Sequence, residues 1–238
     1  MPSHFGGVQA RRPFDFRAMT ATSHQTMAAT RATPSRVAGR RRWLKAGALA
    51  ATAIVVAHLL DGWAWRVLRD PQVYERDWGR LLRTVGYLPT WLIVAIGCWT
   101  HDRPRVGWQW RGGLLIAAPA AGGALAEVLK LCVRRLRPDA DTFGYMFRSF
   151  GDRPFSNGGL GMPSSHTLVA FAGAAALAAV FPKARWLWYA LAAGCALTRV
   201  MAVAHFLSDT VAAAALGVAV GTLLSAAMLR RSVVPPST

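Results

Sequence analysis

An arginine, a histidine and an aspartate stand close together in an otherwise apolar stretch of the sequence. They are Arg199, His205 and Asp209. His205 and Asp209 are four residues apart, so on a helix they share one face and the carboxylate can orient the imidazole. A histidine held in this way can act as a nucleophile or a base. Burying such groups in a membrane is costly, which indicates a functional site, although a helix-end histidine with a capping aspartate explains the pair equally well.

A second group of charges lies upstream, in a basic segment that ends in proline. Lys130 and Arg137 are seven residues apart, or two helical turns, so both are expected on one helix face. Arg134 lies between them, and Pro138 is expected to end the helix. Glu127, one turn before Lys130, can pair with that lysine. Converging cations need an anion, and phosphate suits both an arginine fork and a lysine point charge. The alternative is ordinary positive flanking of a membrane helix.

A third group comes directly before another apolar segment and consists of Ser164, Ser165 and His166. Serine is favoured at a helix start, where free backbone N–H groups and the helix dipole bind anions. A histidine beside a bound anion can donate a proton to a leaving group. The simpler interpretation is that these residues only cap a helix.

The composition favours a membrane protein. The 238-residue chain is 53% hydrophobic and 16% charged, and its net charge is +17. Such a charge could suit nucleic acid, but the Lys and Arg residues lie between apolar runs, so no nucleic-acid partner is predicted. Cys98, Cys132 and Cys195 show neither CxxC spacing nor partner histidines, which argues against a disulfide framework or a zinc site. We interpret them as small residues of a membrane core.

Six apolar segments predict an all-α fold, a polytopic membrane protein built as a six-transmembrane-helix bundle. Each segment is near the length that crosses a hydrocarbon core of ~30 Å. The segments are 44–64, 85–100, 113–133, 165–181, 186–204 and 208–229. The small residues of 217–221 favour close helix packing over lipid exposure. The bundle forms a predicted domain over 43–231, between a disordered basic tail over 1–42 and a short C-terminal tail over 232–238.

The distribution of Lys and Arg predicts the orientation in the membrane. Basic residues before the first segment, in alternate connections and after the last segment fall on one side, which should be cytoplasmic. Both termini then lie in the cytoplasm, and the outer face of the plasma (inner) membrane receives 61–84, 134–164 and the turn near His205. The arginines at 40–42 also resemble a twin-arginine export signal, but the five later apolar segments favour a first membrane helix.

This topology brings all three groups of functional residues to the outer face. Together they supply phosphate-binding cations, an acid, a nucleophile and its orienter, which is what phosphoryl transfer requires without a metal. No cluster of Asp, Glu, His or Cys has metal-ligand spacing, so we expect activity without a metal or other cofactor.

The three groups, taken in order, resemble the three-part signature of the type 2 phosphatidic acid phosphatase superfamily. The matching motifs are Lys130-x6-Arg137-Pro138, Pro163-Ser164-Ser165-His166 and Arg199-x5-His205-x3-Asp209. The resemblance covers about 44–229. Two positions depart from the common pattern: Ser165 stands where glycine is usual and Thr198 where serine is usual. Both changes keep a small residue or a hydroxyl group.

The resemblance implies a six-helix membrane phosphatase and assigns roles to the motif residues. His205 would be the phosphate-accepting nucleophile, Asp209 its orienter and His166 the general acid. Lys130, Arg137 and Arg199 would bind the phosphate, and the helix start at Ser164 and Ser165 would add to that site. Vanadate-dependent haloperoxidases carry the same signature, but they are soluble, and six apolar segments argue against that chemistry.

The leading hypothesis is an integral membrane phosphatase that hydrolyses a lipid phosphate or lipid diphosphate through a phosphohistidine, with the bilayer and that lipid as its partners. A lipid phosphotransferase of the same superfamily would share the intermediate. A transporter or scramblase would bind phosphorylated headgroups without needing an oriented nucleophile. A membrane-anchored nucleic-acid or lipid-surface binder would instead act through residues 1–45. The sequence specifies neither the lipid nor the oligomeric state.

Overall fold

The computed structural model describes residues 36–103 and 108–231. Over these ranges the chain forms seven α-helices: α1 (Arg36–Val67), α2 (Asp77–Thr84), α3 (Leu88–Asp102), α4 (Trp108–Val133), α5 (Ser165–Val180), α6 (Arg185–Met201) and α7 (Leu207–Arg231). Short 3-10 turns span Val73–Glu75 and Pro182–Ala184. The same ranges contain no β-strand, only isolated bridges that join Arg135 to Phe147 and Leu136 to Leu160. The predicted all-α class is confirmed.

The chain divides into two units, Met1–Ala46 and Gly47–Thr238. In the first unit, the structure describes only the beginning of α1. That helix starts at Arg36, inside the stretch predicted as a disordered tail over 1–42. The rest of that stretch, and the predicted C-terminal tail over 232–238, lie outside the described residues. The features below belong to the second unit.

The helices fit a multi-pass membrane protein, but the predicted count of six spans is not established. Within the described ranges, three helices are long and apolar enough to cross a membrane: Gly39–Val67, Trp108–Val133 and Leu207–Met228. The pair α2 and α3, bent by 70°, would add a fourth if it forms one broken span. The apolar helix α5 has 16 residues, which at 1.5 Å per residue is about 24 Å and shorter than the ~30 Å core.

Helix α5 is the central element of the second unit. Most of its side chains are buried, and many are alanine. The small residues of α7 allow a close approach: a Cβ atom built on Gly217 would lie 2.7 Å from the carbonyl oxygen of Leu168, and one on Gly221 would lie 2.5 Å from that of Ala172. The predicted close packing at 217–221 is therefore confirmed, since the backbones meet where only glycine fits.

The segment from 134 to 164 is a long loop held by its own arginines. Arg134 has a left-handed backbone (φ 57°) and is almost fully buried. Its guanidinium donates hydrogen bonds to the carbonyl oxygens of Arg148, Ser149, Asp152 and Pro154. The side chain that the sequence suggested as a phosphate ligand is instead used to fold the loop.

The end of α4 corrects a second expectation. The helix stops at Val133, before Arg137, because the chain turns at the left-handed Arg134 and then joins the isolated bridges. Lys130 and Arg137 are therefore not two turns apart on one helix face, and Pro138 does not end the helix. Lys130 lies on α4, whereas Arg137 extends from the loop, where its backbone N–H donates to the carbonyl of Gly159.

Candidate active site

His205 lies in the turn between α6 and α7 and is 3% exposed. Its Nδ1 atom is 2.8 Å from the carbonyl oxygen of Gly161 in the long loop. A carbonyl can only accept, so this contact places the proton on Nδ1 and leaves the lone pair of Nε2 free, as a nucleophile requires. Burial lowers the pKa of His205, while the negative charge of Asp209 opposes that shift. The neutral, reactive form of the imidazole is thus favoured at neutral pH.

Asp209 is fully buried and has two nearer partners than the histidine. Its Oδ2 atom accepts a hydrogen bond of 2.9 Å from the backbone N–H of Phe206, the residue just before α7, and it lies 3.8 Å from Nδ1 of His205. Its Oδ1 atom forms an ion pair with Arg135. Asp209 is therefore a helix cap of the capping-box kind as well as a neighbour of the imidazole, and the direct hydrogen-bond partner of His205 is Gly161.

A buried polar network behind Asp209 was missed by the sequence analysis. Arg135 also donates to the hydroxyl of Ser208 at 2.8 Å. Asp61 of α1 accepts from both the backbone N–H (2.8 Å) and the hydroxyl (2.5 Å) of Ser208. The hydroxyl of Tyr145 donates to the same carboxylate at 3.0 Å. The network ties the start of α7 to α1 and to the loop.

Two sequence signals could have revealed this network. Asp61 is a carboxylate within a helix that continues to Val67, and an ionisable group inside an apolar helix needs a buried partner. Arg135 follows Arg134 in a basic cluster, and a buried arginine needs a carboxylate partner, which Asp209 supplies. Burial and the charge of Asp61 raise the pKa of Tyr145 to about 12, so its phenol remains a donor at physiological pH.

Lys130 and Ser165 are joined through one carboxylate. Lys130 Nζ is 2.8 Å from Oε1 of Glu127 and 2.5 Å from Oγ of Ser165. The serine hydroxyl donates to the same Glu127 oxygen at 2.6 Å, and Nδ2 of Asn157 donates to the other at 2.7 Å. The predicted pair of Glu127 with Lys130 is present. Glu127 and Ser165 therefore fix the direction of the lysine side chain.

Arg199 and Arg137 supply further positive charge. Arg199 is 5% exposed, and its Nη1 atom donates to the hydroxyl of Tyr74 at 2.9 Å. The pKa of Arg137 is lowered by partial desolvation and then by the positive charge of Arg199. Two guanidinium groups that repel each other in this way are suited to hold an anion between them.

Ser164 and His166 lie at the start of α5. Ser164 precedes the helix and is fully buried, and its hydroxyl accepts from Thr167 at 3.1 Å and makes no capping bond with the backbone. The ring of His166 packs edge-on against that of Tyr87, with centroids 4.9 Å apart. Its Nε2 atom is buried without a hydrogen-bond partner in the described part of the chain. This nitrogen is therefore free to exchange a proton with a group bound beside it.

The structure brings the predicted residues into one place. His166 lies within electrostatic range of Lys130, Arg199 and His205, and His205 lies within range of Arg137 and Arg199. Ser164 and Asp209 are linked by a backbone hydrogen bond of 3.3 Å between the starts of α5 and α7. The predicted residues that meet here thus come from α4, α5, α6, the turn before α7, α7 itself and the long loop.

The sequence model of the PAP2 superfamily matches residues 111–232, half of the chain. The chain belongs to the PAP2 superfamily. It is similar to two proteins named lipid A 1-phosphatase, from Rhizobium etli and Rhizobium johnstonii, each 36% identical over 111 residues. These matches cover 46% of this chain and 47% and 44% of the relatives, so the chain spans about half the length of the curated relatives it matches. No solved structure gives a significant match.

The PAP2 match contains every residue predicted for the site, from Lys130 to Asp209. Asp61 and Tyr74 lie before it, so their contacts with the site come from the structure alone. Within 36–103 and 108–231, no three His, Cys, Asp or Glu side chains are grouped so that they could hold a metal ion. Independence from metal stays a prediction.

Proposed function

We propose that this PAP2 protein is an integral membrane phosphatase that hydrolyses a lipid phosphate or diphosphate through a phosphohistidine on His205. The observation that carries the proposal is the contact of His205 Nδ1 with the carbonyl of Gly161, because it leaves Nε2 unprotonated beside a set of cations. The named activity of the two Rhizobium relatives supports a lipid phosphate as substrate.

The first step would form a bond between Nε2 of His205 and phosphorus. Lys130, Arg137 and Arg199 would neutralise the phosphoryl oxygens as charge redistributes in the transition state. The bond from phosphorus to the leaving oxygen breaks, and that oxygen takes the electron pair and a proton from His166. The product lipid alcohol or lipid phosphate then departs.

The second step would return the enzyme to its starting state. His166, now without its proton, would accept a proton from a water molecule as that water attacks phosphorus. The N–P bond breaks, its electron pair returns to Nε2 of His205, and inorganic phosphate leaves. Asp209 and the Gly161 carbonyl would both favour the charged imidazole during this cycle, one through its charge and the other through its hydrogen bond.

The purified protein in lipid nanodiscs should release phosphate from at least one member of a lipid panel. The panel would contain phosphatidic acid, phosphatidylglycerol phosphate, undecaprenyl diphosphate and a lipid A phosphate. Release should continue in EDTA, because cations of the protein bind the phosphate. Activity lost in EDTA and restored by Mg²⁺ would contradict the mechanism, and binding of these lipids without phosphate release would indicate a transporter or scramblase.

We further propose that the site faces the outside of the plasma membrane and that both termini are cytoplasmic. The opposite end of the bundle holds Arg111, whose guanidinium contacts Asp102 at 2.9 Å and the carbonyl of Val180 at 3.4 Å. Those contacts bring one end of α3, α4 and α5 together. The basic residues at that end favour the cytoplasm.

Single cysteines test this orientation in a chain that lacks Cys98, Cys132 and Cys195. In intact cells, cysteines that replace Asp77 and Gly151 should react with an impermeant thiol reagent, whereas one that replaces Lys183 should react only after permeabilisation. All three positions are exposed, so labelling reports the membrane side. The reverse pattern would place the active site in the cytoplasm.

A further inference from the structure

A cation outside the PAP2 motifs lies beside the candidate active site. Arg83, near the end of α2, is stacked between two tyrosines, with its guanidinium carbon 4.6 Å from the ring centroid of Tyr74 and 5.5 Å from that of Tyr87. Stacking of this kind holds a guanidinium plane in a fixed direction. Stacking over a ring face uses none of the N–H groups, which point outward in the plane of the guanidinium.

Tyr74 links Arg83 to the predicted phosphate ligand Arg199. The hydroxyl of Tyr74 accepts from Nη1 of Arg199 at 2.9 Å and donates to the carbonyl of Thr198 at 3.1 Å. Both guanidiniums thus surround one aromatic side chain, with Arg199 5.8 Å from the centroid of its ring. The two positive charges therefore lie near the same tyrosine ring.

The charge of this pair is not balanced by the described residues. The Nε atoms of Arg83 and Arg199 are buried without hydrogen-bond partners, and neither side chain forms an ion pair with a carboxylate in the described ranges. Arg199 is 95% buried, since only 5% of it is exposed. Buried cationic donors without an acceptor are costly, so an anion from outside the described chain would complete them.

Arg83 lies on the side of the site where the leaving group should be. The turn that follows it packs directly on His166: a Cβ atom built on Gly86 would be 2.7 Å from Cβ of that histidine. The ring of Tyr87, over which Arg83 stacks, contacts the imidazole edge-on at 4.9 Å. If His166 protonates the leaving oxygen, Arg83 is beside the group that departs.

We propose that Arg83, held in place by Tyr74 and Tyr87, forms a second anion subsite, which binds the phosphoryl group that is not transferred from a lipid diphosphate. The inference rests on the proposed phosphohistidine function and makes it more specific. His205 attacks the terminal phosphorus, and the bond from that phosphorus to the bridging oxygen breaks. The electron pair goes to that oxygen, which takes a proton from His166, and Arg83 neutralises the negative charge on the phosphoryl group of the departing lipid monophosphate. Water then cleaves the N–P bond and releases inorganic phosphate.

The test compares a lipid diphosphate with the lipid monophosphate of the same chain. In Arg83→Gln, the ratio of kcat/KM for the diphosphate to kcat/KM for the monophosphate should fall about 10- to 100-fold, the loss of one charged hydrogen bond to a departing anion. Arg80→Gln is the matched control, because Arg80 lies on the same helix, is exposed and pairs with Asp77 at 2.6 Å. Its ratio should equal that of the wild type.

The outcomes separate the two proposals. An unchanged ratio in Arg83→Gln, or an equal loss on both substrates, would overturn the subsite, as would a wild type that cleaves only the monophosphate. A wild type that cleaves neither lipid would remove the proposed function as well. If Arg83→Gln fails to fold, the subsite is tested by inhibition of the wild-type protein. Inorganic pyrophosphate should inhibit at least about 10-fold more strongly than orthophosphate. Equal inhibition by the two anions would overturn the inference.

Discussion

His205→Ala is expected to reduce turnover by about 10⁴- to 10⁶-fold on every substrate, whatever its leaving group. The reason is that Gly161 fixes Nδ1 of His205 at 2.8 Å and leaves Nε2 free to attack phosphorus. Two rates are measured: the release of phosphate from a lipid substrate, and the release of p-nitrophenolate from p-nitrophenyl phosphate, an activated ester.

His101→Ala is the matched control for this variant, because His101 is an exposed histidine near the end of α3. It should keep the rate of the wild type on both substrates. Folding of each variant is checked by elution from gel filtration in detergent. A folded His205→Ala protein that retained more than about one-tenth of the activity on either substrate would contradict a nucleophile at this position.

His166→Ala should distinguish substrates by their need for a proton. On a lipid alkyl phosphate, whose alkoxide leaves poorly, the variant should lose about 10²- to 10⁴-fold in rate. On p-nitrophenyl phosphate, whose phenolate leaves without much help, the loss should be much smaller. The free, buried Nε2 of His166 is the structural reason, since it lacks a partner within the described ranges. Comparable losses on both substrates would show that His166 does not act as the general acid.

The active-site motifs were predictable because their residues are close in sequence. His205 and Asp209 are only four residues apart, and Ser164, Ser165 and His166 are consecutive, so each group is close in space because it is close in sequence. The expected shared helix face is replaced by a turn, since His205 lies before α7 begins at Leu207. The pair of Glu127 with Lys130 follows from the same rule, since both lie on α4 at a separation of three residues. Helix packing at 217–221 was also readable, because small residues leave room for a neighbouring backbone.

The contacts that the sequence did not predict join residues that are far apart in the chain. The bond of Gly161 to His205 joins residues 44 apart, and the contact of Asp61 with Ser208 joins residues 147 apart. The turn at Arg134 moved Arg137 off the helix because one left-handed residue ended α4 early. The periodicity of the sequence does not predict this helix end, because arginine is a common residue within helices.

The role of Asp209 also changes once these contacts are known. Asp209 does cap a helix, as the alternative interpretation held, because its Oδ2 atom accepts a hydrogen bond from the backbone N–H of Phe206. The ion pair with Arg135 and the 3.8 Å approach to His205 come in addition. We infer that Asp209 acts on the nucleophile mainly by its charge and by fixing the start of α7, while Gly161 sets the direction of the ring.

The central claim is that a phosphoryl group is transferred to His205, and trapping that intermediate tests it most directly. The wild-type protein would be mixed with ³²P-labelled substrate, quenched within milliseconds in base and digested for mass spectrometry. We expect a label that is stable in base, labile in acid and located on residue 205. It should be absent from His205→Ala and should persist longer in His166→Ala than in the wild type, because the second step also needs that histidine. Label on another residue, or wild-type turnover without any labelled protein at any quench time, would contradict the account.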